Sequence, residues 1–270
     1  MHAMPGSGGP GDASDASSPA RPEPSRPGLS GAAPAHARRG VWWHPDPGSV
    51  VALLRGRAML AAFVLLTLLF STLTVLVIQA DLRPTPWDIY ITRELQELPE
   101  PVGVVLEWVS LPGFSPWVYL MVAGILAVLL VGRWFTEAVF TALAAAGGFT
   151  ADIVKNLVDR PRPTPDLVHV VSQLPTYSFP SGHVTEYTAL FGFLFYLAYT
   201  SMPRTSSLRW AAMALTALLI VLVGPSRVYM GQHWASDALA GYALGFAYLL
   251  GVVQLHRLWL RKRVSTTGPP

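Results

Sequence analysis

Hydrophobic and polar positions along the chain fall into long apolar runs separated by short polar stretches. The first run covers roughly 58–80, about the 20 residues that one membrane-spanning helix needs. It begins too late and continues too long for a cleaved leader, so it is expected to be an uncleaved anchor. Further runs at about 116–132, 134–154, 184–201, 208–224 and 234–256 predict five more spans. Between the first two lies a polar excursion over 81–115 that carries Asp81, Asp88, Glu94, Glu97, Glu100 and Glu107. Within it Trp87, Ile91, Leu95 and Leu98 recur at helical spacing, which predicts an amphipathic helix lying at the interface. The expected fold class is all-α, a polytopic integral membrane protein with six transmembrane helices in a bundle and an interfacial helix between the first two.

Composition agrees with that pattern. Of the 270 residues 51% are hydrophobic and only 13% charged, too apolar a balance for an ordinary soluble domain. Residues 1–45 are the exception. Rich in Pro, Gly, Ser and Ala with few large apolar side chains, they cannot offset the entropy of ordering and are expected to form a disordered tail. The membrane domain is then expected over 46–264, with a flexible end at 265–270. The chain has no cysteine, which excludes disulfides, Fe–S clusters and thiolate zinc sites. A formal charge of +3 and the placement of the basic residues argue against a nucleic-acid partner.

Those basic residues mark topology instead. Arg38, Arg39, Arg55 and Arg57 precede the first span, and Arg133 lies between the second and third. Arg204 and Arg209 lie between the fourth and fifth, and Arg257, Arg261, Lys262 and Arg263 follow the sixth. All fall on one side, which the positive-inside bias makes cytoplasmic, together with both termini. Lys155, Arg160, Arg162 and Arg227 fall on the other side. These four break the bias together, which points to a different role.

Three clusters hold them. Lys155 is followed seven residues on by Arg162-Pro163. Alone, a lysine at a helix end is a snorkelling anchor. Seven residues is nearly two helical turns, however, so Lys155 and Arg162 are expected on one helix face, with Pro161 and Pro163 ending the helix at the arginine. Pro180-Ser181-Gly182-His183 reads as a turn into a helix, with Ser181 as a cap and Gly182 for backbone freedom. The same geometry suits an anion, because a helix N-terminus presents unpaired N–H groups and a favourable dipole, and His183 could deliver a proton there. The third cluster is Ser226-Arg227, then His233 and Asp237. Four residues apart, the last two can touch, and an imidazole oriented by a carboxylate has one nitrogen left as an aimed base or nucleophile. A lone His–Asp pair is also a common structural feature. Arg227 adds a fork suited to phosphate oxygens.

Taken together, K-x6-RP, PSGH and SR-x5-H-x3-D resemble the signature of the type 2 phosphatidic acid phosphatase family, the lipid phosphate phosphatases. The resemblance covers roughly 58–256 and every specified position is matched. It implies a metal-independent phosphatase without cofactor that forms a phosphohistidine. His233 would be the nucleophile, Asp237 its orienting carboxylate, and His183 the group that protonates the leaving alkoxide and then activates water. Lys155, Arg162, Ser181, Gly182 and Arg227 would hold the phosphoryl oxygens, and no carboxylate-rich cluster suggests a divalent metal site. The expected substrate is a lipid phosphate, phosphatidic-acid-like or a polyprenyl diphosphate, met among membrane lipids at the outer face of the cell membrane. Vanadate-dependent haloperoxidases share this constellation, and a transporter or sensor that binds without hydrolysis is the reading from another class.

Other features have ordinary explanations. Trp108, Trp117, Trp134, Trp210, Trp234 and Trp259 lie near span ends and read as interfacial belts. The run 144–148 and the pair Gly241 and Gly245 permit close helix packing within the bundle. His169 is expected to be an exposed loop residue. Asp152 and Glu186, ionisable groups inside spans, are candidates for supporting the site, Asp152 by pairing with Lys155 and Glu186 by touching a head group.

Overall fold

Nine helices follow one another in the computed structural model, which describes residues 56–267 and side chains over 57–262. Among the described residues there is no strand. The expected tail at 1–45 and residues 268–270 lie outside the described residues. The elements are α1 (Gly56–Gln79), α2 (Pro86–Gln96), α3 (Glu100–Ser110), a 3-10 turn (Leu111–Gly113), α4 (Trp117–Val131), α5 (Phe135–Ala145), α6 (Gly147–Val158), α7 (Gly182–Ser201), α8 (Ser207–Tyr229) and α9 (Ala235–Thr267).

Four stretches among the described residues are long and apolar enough to cross a membrane: Arg57–Gln79, Phe135–Val158 (α5 and α6 together), Ser207–Tyr229 and Ala235–Lys262. A fifth exists if α3 and α4, bent by 68° about the turn between them, form one broken span. Two expected spans differ from the simple pattern. The span expected at 116–132 is represented by α4, 15 residues long by itself. The span expected at 184–201 is α7, whose polar Thr185, Thr188, Thr200 and Ser201 are all buried. α7 packs against α9, α8, α5 and α6 and is therefore clothed by protein, so its polar side chains need not face lipid. Thr185 and Thr200 return their hydroxyl protons to the carbonyls of Ser181 and Tyr196, one turn back.

Helix spacing around α7 is set by small residues. A Cβ on Gly241 or Gly245 of α9 would lie 2.9 Å from Val184 and 2.7 Å from Thr188, so both glycines let α9 close on α7 as expected. One apolar cluster, Phe140, Phe193, Tyr196, Leu197, Val252 and Val253 among others, fills the half of the bundle toward the α9 C-terminus. A second, with Val184, Tyr187, Val223, Val228 and Ala235, fills the half beneath the α7 N-terminus. Aliphatic side chains of α1, including Leu65, Leu68 and Ile78, point outward, the arrangement that a lipid-facing helix requires.

The polar excursion holds two helices where one was expected. α2 begins with a capping box in which Thr85 and Asp88 satisfy each other's backbone N–H groups. Its stripe is only partly covered: Ile91 and Leu95 pack on the second cluster, while Trp87 and Leu98 are exposed. The residues of α2 that are fully buried are Asp88 and Thr92. Among the tryptophans, Trp108, Trp117 and Trp210 are exposed as a belt requires, but Trp234 is 1% exposed and belongs to the core. It follows His233 directly and is carried inward with it.

Candidate active site

Three polypeptide turns meet at one end of the bundle: the segment after α6, the turn into α7 and the turn between α8 and α9. Backbone hydrogen bonds lock them to each other. Ser181 N–H donates to the Asp237 carbonyl at 3.1 Å, Ser178 N–H to the Arg160 carbonyl at 2.9 Å, and Val171 N–H to the Met230 carbonyl at 3.0 Å. Gln96 of α2 adds side-chain bonds to the His169 backbone and the Tyr229 carbonyl. His169 itself is exposed, as expected.

The first cluster reaches the site by a different route from the one its spacing predicts. α6 ends at Val158, where Asp159 adopts a left-handed conformation with φ of 56°, so Lys155 and Arg162 do not share a helix face. Residues 159–163 leave the helix instead and carry Arg162 back over the site. There its Nε and Nη2 donate to the carbonyl and hydroxyl of Thr176 at 2.6 and 2.8 Å, and Nη1 donates to the Gln232 carbonyl at 2.6 Å. The same Nη1 lies 3.3 Å from His233 Nε2. An arginine can only donate, so this contact leaves Nε2 unprotonated and the ring proton on Nδ1. Lys155 pairs with Asp152 at 2.9 Å, as expected, and also sits at the turn into α7: a Cβ on Gly182 would lie 2.9 Å from Nζ.

In the second cluster Ser181 occupies the N-cap position of α7, but its hydroxyl makes no capping bond. His183, in the first turn, packs edge-on against Phe114 at 4.7 Å. In the third cluster Arg227 is fully buried. It donates to Ser110 Oγ at 3.0 Å and to Gln232 Oε1, and lies over the Phe114 ring at 4.8 Å. Phe114 thus touches both His183 and Arg227, and it was not legible as a site residue because it lies outside all three motifs. Glu186, one turn along α7 from His183, is partly buried beside Gly148 and electrostatically opposed to Asp152.

His233 and Asp237 face each other with Nδ1 3.7 Å from Oδ2. Asp237 is held on every side. Arg160 Nη1 donates to Oδ1 at 2.5 Å, and Oδ2 accepts from Ser178 Oγ and from the Trp234 N–H at 2.8 Å. Arg160 is fully buried and its other amino group donates to Asp88 at 2.9 Å. The charge pattern of the sequence flags Arg160 as out of place, whereas nothing in the sequence singles out Asp88 from the other acids of its loop.

Electrostatically the cations sort into two sets. Arg160 and Lys155 are paired with carboxylates, whereas among the described residues Arg162 and Arg227 meet only carbonyls, hydroxyls, an amide oxygen, sulfur, imidazole and a ring face. Several buried polar atoms of the site make no hydrogen bond among the described residues: Ser181 Oγ, His183 Nε2, Arg227 Nε and His233 Nδ1. Burial, then the charges of Arg162, Arg227 and Lys155, hold His233 well below its ordinary 6.5. Burial likewise lowers Arg162 to about 10, with Asp237 acting the other way. The site is therefore cationic, with a neutral imidazole at its centre, and suits an oxyanion. Among the described residues no group of three or more His, Asp or Glu side chains is placed to hold a metal ion.

A helical membrane bundle with this constellation defines the class, and the sequence comparison gives the family: the PAP2 superfamily profile matches residues 117–261, so the chain belongs to that superfamily. Among curated relatives, phosphatidylglycerophosphatase B of Bacillus subtilis is 34% identical over 94 residues, covering 34% of this chain and 44% of that protein. Decaprenylphosphoryl-5-phosphoribose phosphatase of Mycobacterium tuberculosis is 36% identical over 111 residues, covering 38% of this chain and 54% of that protein. The matched region thus spans about half the length of these relatives. The crystal structure of a PAP2-type phosphatidylglycerolphosphate phosphatase from Bacillus subtilis superposes with a TM-score of 0.61 at 22% identity, over 72% of this chain and 96% of that one. This likeness shows a shared fold.

Proposed function

We propose that the protein is a membrane lipid phosphate phosphatase that acts on a phosphomonoester or terminal pyrophosphate through a phosphohistidine. The observation that carries this reading is an arginine without a carboxylate ion pair, Arg162, set 3.3 Å from the unprotonated Nε2 of His233, with the charge of a second such arginine, Arg227, felt at the same imidazole. A phosphoryl dianion matches their charge and places phosphorus in front of that nitrogen. Nε2 attacks phosphorus and the bond from phosphorus to the lipid oxygen breaks. His183 gives its proton to the departing alkoxide, then takes one from the water that cleaves the N–P bond. Arg162, Arg227, Lys155, Ser181 and the Gly182 N–H meet the charge on the equatorial oxygens. Asp237 steadies the imidazolium that develops.

The substrate class follows from the setting and from the relatives' names, which specify phosphorylated glycerolipid and polyprenyl compounds. We assign six spans, with α3 and α4 as one broken span and α7 as the protein-clothed central one, and α2 as the interfacial helix. A tail at 1–45 and a membrane domain over 46–264 complete the organisation. Arg133, Arg204, Arg261 and Lys262 lie at the end of the bundle opposite the site, which supports a cytoplasmic placement for that end and an outer face for the chemistry.

The test is phosphate release by detergent-purified protein in EDTA, from phosphatidic acid and from a polyprenyl diphosphate in parallel. His233→Ala is expected to reduce turnover about a thousandfold or more, as for groups that act as a catalytic unit. Wild-type turnover unaffected by this substitution would overturn the mechanism, and release from neither lipid would overturn the substrate class.

A further inference from the structure

Asp237 must present one particular oxygen to His233, and the structure contains a device that fixes which one. Arg160 engages Oδ1 at 2.5 Å, while Oδ2, the oxygen nearer Nδ1, takes neutral donors from Ser178 and Trp234. A guanidinium is planar and stiff, so its orientation depends on what holds its other edge. That edge is held by Asp88, whose Oδ2 accepts Nη2 at 2.9 Å, with the Arg83 carbonyl at 3.3 Å as a weaker partner. Ser236 closes the ring: its hydroxyl accepts from Arg160 Nη1 at 2.8 Å and donates to Asp88 Oδ1 at 2.7 Å, and its backbone N–H donates to the same oxygen at 2.9 Å. Asp88, Arg160 and Asp237 are all fully buried.

We propose that Arg160 and Asp88 are positioning residues for the phosphatase reaction, a buried carboxylate–guanidinium–carboxylate chain that aims Asp237 Oδ2 at the imidazole of His233. The inference rests on the reading of His233 as the nucleophile. It also gives α2 a part in the chemistry, although α2 precedes the matched region 117–261. Asp88 has two functions at once, because the carboxylate that completes the α2 capping box also anchors Arg160. The interfacial helix and the reacting histidine are thereby tied by four side chains in series: Asp88, Arg160, Asp237 and His233. An ordinary buried ion pair would need only one carboxylate to neutralise Arg160, and the second one makes the chain directional.

The test compares Asp88→Asn and Arg160→Lys with the wild type, reading kcat, KM, inorganic phosphate affinity and the pH profile of kcat/KM. Asp88→Asn keeps the shape of the anchor and leaves Arg160 paired with Asp237. It is expected to lower kcat about 10- to 100-fold, the cost usual when the group that orients a functional imidazole loses its own partner. Phosphate affinity and KM stay within about twofold, because Lys155, Arg162, Arg227 and the α7 N-terminus still hold the anion. The acid limb of the profile moves to lower pH, because removing one negative charge raises the positive potential at His233 from Arg160, Arg162, Arg227 and Lys155. Arg160→Lys keeps the charge and loses the fork, so kcat falls with little movement of the limb. Wild-type kcat in either variant overturns the proposal, and so does a loss of phosphate affinity in step with kcat, which is what general disorder at the site produces. A wild type that releases no phosphate overturns the phosphatase reading and this inference together. A wild type that turns over, with Asp88→Asn at the same rate, overturns this inference alone.

Discussion

Gly113→Ala tests how tightly His183, the proposed acid–base group, is confined. Gly113 ends the 3-10 turn between α3 and α4, and a Cβ there would lie 2.3 Å from His183 Cδ2, 2.8 Å from its Nε2 and 3.0 Å from Tyr187. Ordinary contact begins near 3.4 Å, so something must move by about 1.1 Å. Tyr187 is fully buried, with its hydroxyl donated to the Val109 carbonyl at 2.8 Å, and Phe114 stands against the imidazole at 4.7 Å. The imidazole is the part that yields. A misplacement of about 1 Å in a reacting group costs about 100-fold in rate, whereas overpacking by one methyl costs about 1–3 kcal/mol of stability. Phosphate release per folded molecule should therefore fall about 100-fold, while thermal unfolding in detergent reads the stability cost separately. Gly124→Ala, where an added Cβ meets nothing within 4 Å, is the control and should turn over like the wild type. A Gly113→Ala enzyme with kcat within about twofold of the wild type would refute the argument, because the turn would then move freely over His183.

Four further outcomes follow from particular atoms. Because His233 titrates well below 6.5 in the folded protein, the unfolded chain takes up a proton as pH falls through that value while the folded chain does not. Stability should thus decline on acidification by at most about 1.4 kcal/mol per pH unit from this group, and thermal unfolding of His233→Gln should show a shallower decline. Gly245→Val should destabilise the bundle by about 1–3 kcal/mol through overpacking, because a Cβ there lies 2.7 Å from Thr188 and 2.8 Å from the Thr185 carbonyl. Gly251→Ala, with nothing within 4 Å, should be neutral or slightly stabilising in the same unfolding assay. The chain has no cysteine, so single replacements report sidedness: an impermeant thiol reagent added outside cells should label Asp166→Cys and spare Thr205→Cys.

The parts of the fold that a one-dimensional pattern can carry were legible in the chain. Apolar runs located α1, α8 and α9, because each holds a stretch long and apolar enough to cross a membrane, and the three motifs named eight of the residues that meet at the site. What the pattern misplaced depends on a third dimension. The spacing of Lys155 and Arg162 fits a shared helix face, but α6 stops at Val158 and the arginine arrives by a loop. Trp234 looks like a belt residue by position and is core because the turn carrying His233 folds inward. Gly113 and Phe114 have no local signature at all, since their importance comes from contact with His183 and Arg227.

Charge shows the same division most clearly. Read along the chain, Lys155, Arg160, Arg162 and Arg227 are four equivalent violations of the charge bias, and their number would overload a phosphoryl dianion. The bundle separates them by partner. Asp152 pairs with Lys155, and Asp88 and Asp237 both pair with Arg160, so of the four only Arg162 and Arg227 form no ion pair with a carboxylate among the described residues. Four cations against three aspartates leave the cluster one positive charge in excess, enough to attract a phosphoryl anion while keeping surplus buried charge, which is costly, small. The placement of three aspartates therefore separates the two cations that form ion pairs from the two that do not, a division that the basic residues alone do not reveal.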